Sequence, residues 1–91
     1  MEKFSEIFKQ LKSIEGYGGR ILLEHVIFGK QAYTLDKIQI VNDEARIGVC
    51  VRNHEIFIHK SDIKLCKIHD NMLIVSDGIM QITLIFNITN Y

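Results

Sequence analysis

Apolar and polar residues alternate with a period of two along most of this chain, the spacing of a strand with one buried face. The pattern is clearest at Ile38 and Ile40, at Ile47, Val49 and Val51, at Ile56 and Ile58, and at Met80, Ile82, Leu84 and Phe86. Each set predicts a stripe on the core side of its strand. Turn-forming clusters cut the text into predicted strands at 20–28, 34–41, 46–52, 55–60, 63–68, 72–76 and 79–88. The first of these is apolar on both faces apart from Glu24 and His25, which predicts a central or covered strand. Asp77-Gly78 is the strongest two-residue hairpin signal, so the last two strands should pair antiparallel through a type I′ turn.

A different period governs the N-terminus. Phe4, Ile7, Phe8, Leu11 and Ile14 follow the i, i+3, i+4, i+7 spacing of an amphipathic helix. Glu2 and Glu6 precede Lys9 and Lys12, as the helix dipole favours, and Gly16 stands where a left-handed cap belongs. The reading is a helix within 1–15, a glycine hinge "GYGG" at 16–19, and a β-meander over 20–91, all in a single domain. The expected fold class is mainly β with one N-terminal helix: an antiparallel β-meander forming a small barrel or sandwich, with the helix over an open end or face. "GYGG" is not a phosphate loop, because it closes the predicted helix rather than opening one and lacks the Gly-Lys-Ser/Thr ending.

Composition agrees with a folded β domain. Of the 91 residues, 47% are hydrophobic and 24% charged, a balance unlike that of disordered chains. Sixteen are isoleucine, a β-branched side chain that suits a pleated, half-buried surface. The formal net charge is zero, so no global field draws the chain to nucleic acid or to an anionic membrane. The N-terminal segment lacks the unbroken apolar core of a signal peptide. The longest apolar stretch, "MLIVSDGIMQITLIF", is broken by Ser76 and Asp77 and reads as two strands, with no membrane span. Two cysteines without a secretion signal read as thiols in a reducing compartment, which places the protein in the cytoplasm.

Candidate chemistry concentrates in "CVRNHEIFIHKSDIKLCKIH", residues 50–69, which holds both cysteines and three of the four histidines. Only Cys66 and His69 have the spacing of a zinc knuckle, and a structural site needs two such pairs. Cys50, His54 and His59 fall on strand faces and turns, so neither a metal nor any other cofactor is expected. A Cys–His nucleophile lacks an orienting third group and an oxyanion motif. Asp43-Glu44, and Asp70 with Asp77, sit in turns that explain their carboxylates. The chain is therefore expected not to be an enzyme. Arg52, Lys60, Lys64 and Lys67 around Phe57 form the candidate binding face, for a partner protein or for single-stranded nucleic acid through stacking and phosphate contacts.

The texts "LLEH" at 22–25, "YTLDKIQI" at 33–40, "IFIHKSDIKLCKI" and "MLIVSDGIMQITLIF" make the region from Arg20 to Phe86 resemble the small sporulation proteins of the YabP/YqfC type, found in spore-forming bacteria. Lys60 and Ser61 stand where that family tends to have glycine, and this chain has extra residues between Ile40 and Ile56. The resemblance implies a sporulation context and transfers no catalytic residue. In architecture the predicted elements are also similar to Sm-like barrels, which implies the RNA- or single-stranded-DNA-binding alternative. The expected function is a non-enzymatic protein-binding or scaffold domain, a homo-oligomer because open β edges invite further pairing. A small phage-encoded inhibitor acting by protein contact is the remaining alternative.

Overall fold

The computed structural model describes residues 17–69 and 71–87. Eight strands run along them: β1 Gly19–His25, β2 Gly29–Leu35, β3 Gln39–Asn42, β4 Arg46–Val51, β5 His54–His59, β6 Leu65–His69, β7 Met72–Ser76 and β8 Met80–Phe86. A 3-10 turn, Lys60–Asp62, separates β5 from β6. The strands form two antiparallel sheets, one in the order β2-β1-β8-β7-β6 and the other in the order β3-β4-β5. The chain leaves the larger sheet after β2, builds the smaller one, and returns at the far edge through the 3-10 turn.

One core joins the sheets. Ile21 and Leu23 of β1, Leu73 and Val75 of β7, and Ile82, Leu84 and Phe86 of β8 are buried from one side. Ile47, Val49 and Val51 of β4 and Ile58 of β5 belong to the same buried cluster. The predicted period-two stripes on β4, β5 and β8 are thus the core faces. Ile38, between β2 and β3, is fully buried, and its amide donates to the Tyr17 carbonyl at 2.9 Å, tying the crossing segment to the start of β1.

The structure corrects the expected fold class. The strands do not follow one another as a single meander, and they do not close into a barrel: β1 pairs with β8, far away in sequence, and β3–β5 form a separate open sheet. Among the described residues there is no α-helix. The helix expected within 1–15 falls outside the described residues.

Three local expectations are corrected as well. The strand predicted over 20–28 ends at His25, and Val26–Phe28 make a turn back into β2. Gly29, at φ 83°, permits that reversal. The strand predicted over 34–41 is two strands, because Asp36–Ile38 carry the chain from one sheet to the other. The two-residue turn with positive φ at both central positions lies at Arg52-Asn53, φ 50° and 68°, between paired Val51 and His54. At Asp77-Gly78 only the glycine has positive φ, and the loop spans four residues between paired Ser76 and Gln81. The antiparallel pairing of β7 with β8 is as the sequence predicts.

Candidate functional site

The five residues expected to line one binding face are spread over both sheets. Arg52 occupies the β4–β5 turn, with its guanidinium carbon 5.9 Å from the Tyr33 ring centroid. Lys60 lies at the opposite end of that hairpin, where its ammonium donates to Asn42 Oδ1 at 3.2 Å and to the Asp43 carbonyl. Desolvation pulls the Lys60 pKa below the ordinary lysine value, against the attraction of Asp43. Phe57, in the middle of β5, carries the Arg46 guanidinium 4.8 Å above its centroid and the His59 ring edge-on at 5.4 Å. One face of that aromatic ring is therefore taken by a cation of the same sheet. Lys67 is on β6, in the other sheet, and Lys64 lies beside Gly78 at the β7–β8 loop.

The cysteines and histidines are also dispersed. Cys50 stands on β4 of the smaller sheet and Cys66 on β6 of the larger, both as free thiols. Burial pushes the Cys66 thiol up, partly opposed by Lys60, which disfavours the reactive thiolate. Among the described residues no three His, Cys, Asp or Glu side chains gather where they could share a metal ion.

A different region stands out at the end of the larger sheet. Val26, Ile27 and Phe28 in the β1–β2 turn are 71%, 77% and 80% exposed, and Ile79 in the neighbouring β7–β8 loop is 56% exposed. Apolar side chains of this size rarely project together into water without a contact to make. The two loops are joined, since the Val26 amide donates to the Ile79 carbonyl at 3.1 Å.

Side-chain capping holds both loops. His25 Nδ1 accepts from the amides of Ile27 at 3.0 Å and Phe28 at 3.3 Å, and its ring lies 4.6 Å from the Phe28 ring, tilted by 38°. Asp77 Oδ1 accepts from the amides of Ile79 at 2.9 Å and Met80 at 2.8 Å. Those amides, Met80 first, hold the Asp77 carboxyl below the usual carboxylate range, and His25 adds a smaller attraction. Cross-strand Glu24 and Lys30 give the base of the tip one charge of each sign.

Recesses flank the apolar tip. One, of about 280 Å³, lies between Lys30, Val26 and Ile79. Another, of about 290 Å³, lies between Leu23, Phe28, Ile56 and Met80. Both fall just under the roughly 300–1,000 Å³ of ligand pockets, and each opens beside a projecting side chain, a relief suited to another surface. A third depression, lined by Ile63, Lys64, Asp77 and Ile79, makes Lys64 the one sequence-predicted residue at this end of the molecule.

The sequence pattern did not mark this tip because "VIF" extends the apolar run of β1 and carries no Asn, Asp or Gly within the turn itself. The sequence places the turn one step later, in "FGKQA", where Gly29-Lys30-Gln31 is poor in strand formers yet begins β2. Among the described residues no helix is long and apolar enough to cross a membrane. Comparison with family models, with curated proteins and with solved structures finds no match.

Proposed function

We propose that this chain is a non-enzymatic protein-contact domain that associates with a second copy of itself through the apolar tip and the adjoining edge of β2. The observation that carries this reading is the joined cluster of Val26, Ile27, Phe28 and Ile79, each more than half exposed. Among the described residues strand β2 is an edge of the larger sheet, and Gly29–Ala32, next to the tip, are exposed. Unpaired amides and carbonyls beside an apolar anchor offer both the affinity and the register of strand addition. Opposite charges at Glu24 and Lys30, together with zero net charge, let two identical surfaces approach without repulsion. The resemblance to YabP/YqfC-type proteins adds a sporulation setting for such a scaffold.

Two copies bring eight large apolar side chains together, and covering about half of their surface contributes on the order of 6–12 kcal/mol before association costs of roughly 4–15 kcal/mol. The expected self-association is therefore modest and visible only at micromolar concentration or above. Sedimentation velocity from about 1 to 500 µM should show a concentration-dependent rise in mass. Ile27→Asp with Phe28→Asp should abolish that rise while leaving the far-ultraviolet spectrum unchanged, because neither side chain is in the core. A wild-type chain that stays monomeric across the range overturns the reading.

A further inference from the structure

We propose that His25 is a proton-operated clasp that holds the Val26–Phe28 tip in its exposed conformation and releases it on acidification. The geometry is specific. A neutral imidazole has one nitrogen that accepts and one that donates, and His25 uses Nδ1 as an acceptor for two amides of its own turn. That assignment requires the proton on Nε2. Once the ring takes up a second proton, Nδ1 becomes a donor facing the donors of Ile27 and Phe28. Both hydrogen bonds are lost together, since no tautomer of the charged ring can restore them.

The surroundings include a carboxylate that attracts the charged ring. Asp77, in the neighbouring loop, is close enough to feel the His25 charge, and its carboxylate remains ionised at any pH where an imidazole titrates. Glu24 and Lys30, which line the same recess, contribute one charge of each sign at the base of the tip. The ring contact at 4.6 Å couples the imidazole to Phe28, so a movement of one displaces the other. Besides the pairing of His25 with Gly29 at its base, the turn is held by the Val26–Ile79 hydrogen bond, which lies on its first residue and leaves the Ile27 and Phe28 amides to the histidine.

The chemistry is thus a two-state local element. With neutral His25 the three apolar residues are displayed in one arrangement, and with charged His25 the turn loses its internal cap. The consequence for association rests on the self-contact reading given above, whereas the clasp stands on the geometry of the turn alone.

The test is a proton–nitrogen NMR titration of the wild-type chain from pH 8 to pH 5, kept dilute enough to be monomeric. The His25 ring nitrogens should report the Nε2–H tautomer at high pH. Exchange protection of the Ile27 and Phe28 amides, corrected for intrinsic rates, should then fall about tenfold in step with ring protonation, as loss of an amide hydrogen bond predicts. The Leu84 amide should keep its protection. His25→Asn supplies a side-chain carbonyl that accepts without titrating, and the pH response of the two amides should vanish in it. Ile27 and Phe28 amides that ignore the ring titration in the wild type would overturn the clasp. A tip that loosens as expected while sedimentation at high concentration is unchanged by pH would retain the clasp and overturn the self-contact reading instead.

Discussion

Gly48 stands opposite Phe57 in the β4–β5 ladder, and the backbones approach so closely there that only glycine fits. A β-carbon at this position would lie 2.0 Å from the Ile56 carbonyl oxygen and 2.5 Å from the Phe57 α-carbon. Neither atom can swing aside, because both belong to the partner strand. Gly48→Ala should therefore destabilise by about 3 kcal/mol, the upper part of the range for forced overpacking. The urea midpoint should drop with its slope unchanged, and an unchanged midpoint would mean that the smaller sheet shifts freely. The Gly in "RIGVCV" is visible in the sequence, but its reason is not. That reason is the approach of another strand.

At the scale of the element, aspartate side chains cap two of the loops. Asp43 closes the β3–β4 hairpin: its Oδ1 accepts from the amides of Ala45 at 2.9 Å and Arg46 at 2.7 Å, while Oδ2 takes the Arg46 Nε–H at 2.8 Å. The Arg46 guanidinium, and next the Ala45 amide, lower the Asp43 pKa to about 2. A folded-state value below the roughly 3.9 of an unfolded aspartate means that the charged form stabilises the fold. That contribution is complete above pH ~4 and disappears as the pH falls toward about 2. Urea midpoints measured between pH 5 and pH 2 should fall less steeply in Asp43→Asn than in the wild type. Equal slopes would show that the turn is indifferent to the charge. In sequence Asp43 and Asp77 are already legible as turn formers, and that is the role they have. Their shared geometry is not legible there, because which amides converge on a carboxylate depends on the loop length between paired strands.

For the molecule as a whole, β8 is the strand on which the larger sheet depends. Leu84, 1% exposed, pairs with Ile21 of β1 on one side and Leu73 of β7 on the other. Leu84→Ala should cost about 2–5 kcal/mol, a large part of the ~5–15 kcal/mol that holds a domain of this kind together. The thermal midpoint should fall by at least about 10 °C. Ile27→Ala, at the exposed tip, serves as the control and should stay within about 0.5 kcal/mol of the wild type. A Leu84 variant as stable as that control would mean that β8 is not the centre of the core.

Period-two alternation by itself determined which stretches are strands and which residues of β4, β5 and β8 face inward, and the Asp77-Gly78 turn signal gave the antiparallel pairing of β7 with β8. Side chains on a pleated strand must point to alternate sides, so burial of one face is written locally. Only the tertiary structure decided that the strands divide between two sheets, that residues 36–38 form the crossing, and that β1 lies against β8. Those choices depend on which distant edges meet, a contest between whole strands that no short window records. The same holds for the tip. "LLEHVIF" looks like uninterrupted strand in sequence, and the chain turns within it because β2 must return along β1 while β8 occupies the other side. Val26, Ile27 and Phe28 are left in water by that arrangement, and His25, an unremarkable strand residue in the text, becomes the acceptor that holds them there.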